Sequence, residues 1–130
     1  MANEAVIIEK GQLSPLRYTV ADGSGIEKGA ILKLIDPRTA SGGNIVKGSI
    51  CAGIASDEKV AGDGSTSLSF WHDGIFDVKA SGAIALGMPI TMAPDNYVAI
   101  ALTTASGAMI IGHALETASD AEVFAARIFF

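Results

Sequence analysis

Short runs in which apolar and polar residues alternate recur along the chain, and this pattern constrains the fold more than any other feature. Gly, Pro, Asp or Ser bounds each run, and a new run begins about every ten to fifteen residues. Such spacing is typical of an all-β sandwich or barrel. We therefore predict a compact small β-barrel or sandwich domain, mostly β with at most one or two short helices, and with strands at residues 17–20, 30–35, 50–55, 67–71, 75–79, 89–92, 97–102, 109–116 and 122–129.

Two stretches have some helical character. Residues 82–87 are too few for more than one helical turn. Residues 119–126 begin with a cap-like sequence at Ser119, but Val123, Phe124 and Ile128 favour a strand, and we predict a strand there. Gly-Ile recurs three times, yet no convincing internal repeat accompanies it.

The clearest predicted turn lies between the strands at 67–71 and 75–79. Leu68 and Phe70 alternate with serines and precede Asp73-Gly74. Asp-Gly tolerates the positive φ of a primed turn, whose twist matches paired strands. The sequence predicts a hairpin here, with His72 at its tip, and further turns at residues 22–25, 41–44, 62–64 and 93–96.

Length and charge exclude several classes of protein. The 130 residues suit one domain, and 14 Asp and Glu against 9 Lys and Arg give a net charge of -5. An acidic chain lacks the clustered cations that nucleic-acid binding needs, so we expect no nucleic-acid partner. No apolar run approaches the roughly 18 residues of a membrane-spanning helix, so we expect no membrane partner. The N-terminus lacks a secretory signal, so we expect synthesis in a cytoplasm.

The first sixteen residues differ from the rest. Val6, Ile7 and Ile8 form a short β-branched apolar triplet, which Gly11 and Pro15 separate from the next strand. One interpretation is an edge strand of the domain itself. The other is an arm that adds a strand to a partner's sheet. We predict an N-terminal arm at residues 1–16 and a β-rich domain at 17–130, with residues 2–12 removable without loss of the fold.

No constellation for catalysis is visible. His72 and His113 are far apart in sequence, and we interpret His113 as a hydrogen-bonded, partly buried residue. Residues 43–49 have Lys-Gly-Ser where a phosphate loop needs Gly-Lys-Ser or Gly-Lys-Thr. Cys51 lies in an apolar stretch typical of a buried, inert thiol. We predict no catalytic residues, no cofactor, no metal and no enzymatic activity.

The last two residues are both aromatic. Phe129 and Phe130 cannot both point inward from one strand, because successive side chains point to opposite faces. We expect one of them to pack on a neighbouring copy, and both are candidate oligomer contacts.

Two segments carry a resemblance to a known family. Residues 51–55 and 66–76 resemble the core of the head-decoration proteins of lambda-like tailed phages, and Gly53, Ile54, Phe70, Gly74 and Phe76 carry the match. Residues 80–90 and 111–118 are similar to the broader phage capsid cement proteins.

The resemblance implies a capsid decoration or cement protein. Such a protein is made in the host cytoplasm and binds the outside of an icosahedral head, where it stabilises the shell against DNA pressure. It implies the major capsid protein as partner, a homotrimer at three-fold positions, and an arm in which Val6, Ile7 and Ile8 join a capsid strand. The alternative is another virion β module, such as a tail, fibre or carbohydrate-binding domain, for which Trp71, Tyr18 and Tyr97 are candidate sugar-stacking aromatics.

Overall fold

A computed structural model describes residues 3–101 and 109–130. Within these ranges the chain is all-β, as the alternation predicts, apart from one 3-10 turn at Pro94–Asn96. No helix in the described ranges is long and apolar enough to cross a membrane. The strands are β1 Val6–Lys10, β2 Leu16–Thr19, β3 Ile31–Ile35, β4 Thr39–Ser41, β5 Cys51–Ala55, β6 Ser67–Trp71, β7 Asp73–Ala80, β8 Pro89–Ala93, β9 Tyr97–Ile100, β10 Gly112–Ala114 and β11 Val123–Phe129.

Nearly all predicted strands lie within a few residues of observed ones. The short β4 was not predicted, and the strand expected at 109–116 is confined to Gly112–Ala114. The strand expected at 97–102 ends at Ile100, and residue 102 lies outside the described residues. Residues 82–87 contain a bend, an isolated β-bridge at Ile84 and a turn instead of a helix.

The strands form two small barrels. The first closes in the order β2-β4-β3-β5-β6. The second closes in the order β7-β9-β8-β10-β11, because β7 pairs in parallel with β9 and antiparallel with β11. β1 adds a sixth strand to the second barrel by pairing with β7.

The two barrels repeat one topology. In each, the first strand pairs in parallel with the third and antiparallel with the fifth, and the second and fourth strands complete the ring. The turn before the second strand also repeats: the Gly29 N–H donates to the Ala55 carbonyl oxygen at 2.9 Å, and the Gly87 N–H to that of Ala114 at 2.8 Å. Both glycines have positive φ, at 89° and 81°. The isolated bridges repeat as well, between Ile26 and Lys59 and between Ile84 and Ala118. The expectation of no internal repeat is therefore wrong at the level of topology.

One buried cluster fills the first barrel, and a second extends from the other barrel to the outside of the first. Leu68 and Phe70 belong to the first cluster, whereas Phe76 and Phe124 belong to the second. β5 contributes to both, with Ala52 in one and Ile54 in the other. Because it is buried on both faces, β5 lacks the alternation of a half-exposed strand, and its small residues let the barrels approach closely.

The predicted hairpin at Asp73-Gly74 is wrong. Asp73 and Gly74 lie inside β7, and β6 and β7 belong to different barrels instead of pairing with each other. The Asp73 carboxylate accepts hydrogen bonds from the backbone N–H groups of Gln12 and Leu13 at 3.0 and 3.3 Å. These long-range partners hold the dipeptide in an extended strand, which local turn propensity does not anticipate. The four other segments predicted as turns do contain turns, bends or the 3-10 turn, at residues 22–25, 41–44, 62–64 and 93–96.

Candidate interaction surface

The described residues contain no visible centre for metal or thiol chemistry. Within residues 3–101 and 109–130, no group of three or more His, Cys, Asp or Glu side chains could hold a metal ion. The Cys51 thiol is buried, and burial raises its pKa to about 12. This thiol therefore stays protonated at neutral pH, where only the thiolate is a good nucleophile.

Neither histidine occupies its predicted environment. His72 is buried at the junction of the barrels instead of at a hairpin tip, and its Nε2 atom lies 3.1 Å from the Ser14 carbonyl oxygen. His113 is exposed on β10 instead of partly buried. The reason is that β10 shows only its other face to the core, through Gly112 and Ala114. The two imidazoles therefore lie in different environments, one buried and one exposed.

The apolar triplet near the N-terminus lies in β1, which is paired within the chain. Val6 lies opposite Asp77, Ile7 lies opposite Phe76, and a bulge follows Ile7. Ile7 packs against the buried cluster of the second barrel, whereas Val6 and Ile8 are 49% and 55% exposed. In the described chain, β1 is the edge strand of its own domain, and two of its three apolar side chains are open to a partner.

The segment before β1 is held by polar contacts. The Ala5 N–H donates to the Gly29 carbonyl oxygen at 3.0 Å, and Ala5 is buried. The Asn96 amide donates to the carbonyl oxygens of Asn3 and Gly29 at 2.8 and 3.0 Å, and Lys79 Nζ donates to the Asn3 side chain. These bonds join the start of the chain to both barrels, so β1 has a defined position in the free protein.

The structure brings Val6 and Phe129 to one surface, which we call the outer face. The outer face consists of the outward side chains of β1, β7 and β11. Residues directly opposite each other in a sheet share a face, so Val6, Asp77 and Ala125 form one row, and Phe129 lies two alternations further along β11. Phe129 is 57% exposed. The opposite face of the same strands, with Phe76 and Phe124, is buried.

An ion pair supports the outer face beside Phe129. Arg127 donates to the Asp73 carboxylate at 2.9 Å, and the Arg127 guanidinium lies 5.4 Å from the centre of the Phe129 ring. Burial alone would raise the pKa of Asp73, but hydrogen bonds from Arg127, Leu13 and Gln12 and the Arg127 charge lower it overall. Asp73 is therefore a carboxylate at neutral pH, and it fixes both the Arg127 side chain and the link between β1 and β2.

The two terminal aromatics point to opposite faces, as strand alternation requires. Phe129 is exposed on the outer face, whereas Phe130 packs against the buried cluster and its ring centre lies 6.4 Å from that of His72. The Phe130 N–H donates to the His72 carbonyl oxygen at 3.1 Å. The role of Phe129 and Phe130 as oligomer contacts stays a prediction, and the exposure of Phe129 favours this residue as the contact.

Sequence reasoning missed several members of this surface. Arg127 and Ile75 form a cross-strand pair on the outer face, and the exposed Val123 begins β11. The exposed side chains of Leu13 and Ile110 lie on neighbouring segments, each beside Arg127 and Phe129. The alternation in β11, with Val123, Arg127 and Phe129 at odd positions, is the signal that could have identified part of it.

Two closed barrels and a docked edge strand define a compact β-rich domain, whose outer face combines exposed apolar side chains with charged ones. Residues 8–128 match the model of the phage cement protein family, and this chain belongs to that family. The protein is accordingly a capsid-associated component of a phage virion.

A solved structure with a similar fold is the N base of head fiber gp8.5 of bacteriophage phi29. The TM-score is 0.58 at 17% sequence identity, and the similarity covers 88% of this chain and 94% of that chain. At this identity the likeness concerns the fold alone. Comparison with curated proteins gives no match.

Proposed function

We propose that the protein decorates the outer surface of an icosahedral phage head, as trimers at three-fold positions, and stabilises the shell against the pressure of packaged DNA. The observation that carries the proposal is the match of residues 8–128 to the phage cement protein family. The exposed apolar side chains on the outer face, Val6, Val123 and Phe129, support it, because exposed apolar groups that cluster on one surface mark sites of protein association. The family also suggests a structural role without enzymatic activity.

Stabilisation of the shell follows from selective binding. A protein that binds the assembled shell, but not its separated subunits, stabilises the shell by an amount that grows with the logarithm of free ligand over its dissociation constant. Repetition at many equivalent positions multiplies this effect. The mechanism needs a binding surface and no reactive group.

We further propose that β1 is the capsid-binding part of an N-terminal arm at residues 1–16. Val6 and Ile8 offer exposed apolar side chains, and Ile7 holds the strand on the domain at residues 17–130. For the oligomer contact we propose Phe129, with Phe130 supporting it from the buried side. A trimer would bring three outer faces toward one capsid position.

The test is the stoichiometry of the protein in purified, DNA-filled heads. Quantitative mass spectrometry should find a fixed, high ratio of this protein to the major capsid subunit. Removing the protein should also lower the temperature at which filled heads release DNA. A few copies per particle would contradict decoration, and absence from particles would contradict any capsid role.

A second candidate is the base of a fibre or another virion β module. The fold likeness to a head fiber base favours it, although only through the fold. A carbohydrate-binding role has less support, because each candidate aromatic already faces a cation: Trp71 with Lys10, Tyr18 with Arg38, and Tyr97 with Lys79, all within 5.6 to 5.7 Å of the ring centre. Low copy number with retained head association would favour the fibre base.

A further inference from the structure

The repeated topology exposes a difference between the two barrels. In the second barrel, β9 pairs only with Lys79 and Ala80 at one end of β7, and β1 pairs along the rest of the same edge. In the first barrel, β4 likewise pairs only with Thr19 at one end of β2. In the described parts of the chain, no strand occupies the rest of that edge, at Leu16 and Arg17. We call this unpaired edge the β2 slot.

Backbone groups of β2 point into the β2 slot. The Thr19 N–H donates to the Arg38 carbonyl oxygen beside β4, and the Val20 N–H donates to the Thr66 carbonyl oxygen beside β6. Residues two apart in a strand direct their peptide groups to the same side. The Arg17 N–H and C=O groups therefore face the slot, and so does the Pro15 C=O group.

The side chain of Leu16 shows what the slot lacks. Leu16 lies opposite Phe70 and Phe76 lies opposite Ala126, so the two residues hold equivalent, core-facing positions in their barrels. Phe76 is 1% exposed, with Ile7 of β1 directly opposite it. Leu16 is 44% exposed, although it faces the same way. A strand in the slot would cover Leu16 as β1 covers Phe76.

We propose that the β2 slot receives an extended segment of a capsid subunit, which adds antiparallel to β2 as β1 adds to β7. This inference rests on the proposed function. The chain's own β1 is a poor donor, because it is paired with β7 and anchored through Asn3 and Ala5.

Charge around the slot defines the segment further. Arg17 donates to Ser67 and Ser69, and Arg38 lies over the Tyr18 ring; among the described residues neither forms an ion pair. On a chain of net charge -5, two such cations beside an open edge favour an acidic strand. The segment has a carboxylate opposite Arg17 and an apolar residue opposite Leu16.

Hydrogen exchange on the intact protein tests the inference directly. The Arg17 amide should exchange rapidly in the free protein and become protected when the protein binds heads that lack it. Protection of the same amide in concentrated protein without heads would identify a second copy as the occupant and overturn the capsid assignment. No protection in either state would overturn the slot itself.

A matched pair of variants provides the second readout. Arg17→Pro and Arg17→Ala both remove the side chain, with its charge and its hydrogen bonds to Ser67 and Ser69 of β6. Arg17→Pro also removes the slot-facing N–H, which Arg17→Ala keeps, so the two variants differ in that backbone group. Arg17→Pro should bind undecorated heads about tenfold more weakly than Arg17→Ala, at equal fold stability by circular dichroism. Equal binding of the two variants, with wild-type protein bound, would overturn the inference but not the proposed function. Failure of the wild-type protein to bind heads would overturn both.

Discussion

Replacing the two exposed apolar residues of β1 should weaken head binding without unfolding the protein. The variant is Val6→Thr with Ile8→Thr, since threonine keeps the β-branched shape that suits a strand. Val6 and Ile8 are 49% and 55% exposed, so the groups removed are largely open to water in the free protein. Pairing with β7 depends on the backbone and on Ile7, neither of which changes.

The size of the effect follows from the apolar groups exchanged. The two changes remove or replace three carbon groups, and each buried group contributes about 0.8 kcal/mol. If docking buries these groups, binding weakens by about 2 kcal/mol, which is about thirtyfold in the dissociation constant. The free energy of unfolding should stay within about 0.5 kcal/mol of the wild-type value, as for other exposed substitutions.

Cosedimentation with undecorated heads, over a range of protein concentrations, measures the affinity. The matched control is Val46→Thr with Val60→Thr, two exposed valines in turns away from β1. Ile7→Thr is a second control and should lower the unfolding temperature, because Ile7 packs against the core. If the β1 variant binds as tightly as wild-type protein while remaining folded, β1 is not the capsid contact.

Three further predictions concern the oligomer, a buried cation and acid stability. Phe129→Ser should reduce the trimer fraction in sedimentation equilibrium with little change in unfolding temperature, whereas Phe130→Ser should mainly lower that temperature; the reverse pattern would reject Phe129 as the contact. Lys59 Nζ donates to two carboxylates and two carbonyl oxygens. Lys59→Met should therefore lower the free energy of unfolding by about 2 kcal/mol, measured by urea unfolding, and an unchanged midpoint would refute this. The pKa of Asp73 is lowered in the fold, so the ionised Asp73 stabilises the protein above about pH 4, and this stabilisation is lost as pH falls through the lowered pKa. Asp73→Asn should therefore be less stable than wild-type protein at neutral pH and should lose less stability than wild-type protein on acidification.

Much of the strand pattern could be predicted because alternation is a local property. β6 begins and ends at the predicted residues, and β11 is a strand despite the cap-like sequence at Ser119. The exception at Asp73-Gly74 has a physical reason. Local preference there favours a turn, but Gln12, Leu13 and Arg127 bind the carboxylate from distant parts of the sequence.

The repeated topology could not be predicted from the sequence. Some equivalent positions of the two barrels hold the same residue, as Gly29 and Gly87 or Ala55 and Ala114 do. Other equivalent positions of the two barrels hold different residues. At one isolated bridge the first barrel buries the hydrogen-bonded cation of Lys59, and at the equivalent bridge the second barrel buries the methyl group of Ala118. The topology is maintained by backbone hydrogen bonds, which are compatible with many different side chains, so the repeat leaves little trace in the sequence.

The sequence by itself determined an all-β chain, four of its turns, an apolar triplet at residues 6–8 and the opposite orientations of Phe129 and Phe130. These features depend on neighbours a few residues apart, so a linear pattern contains them. Only the tertiary structure decided that β1 pairs with β7, that Val6 and Phe129 share the outer face, and that β2 keeps an open edge at Leu16. The first two features depend on backbone hydrogen bonds between residues 44 to 71 positions apart in the sequence, and the third depends on where β4 stops pairing with β2, none of which a local pattern specifies.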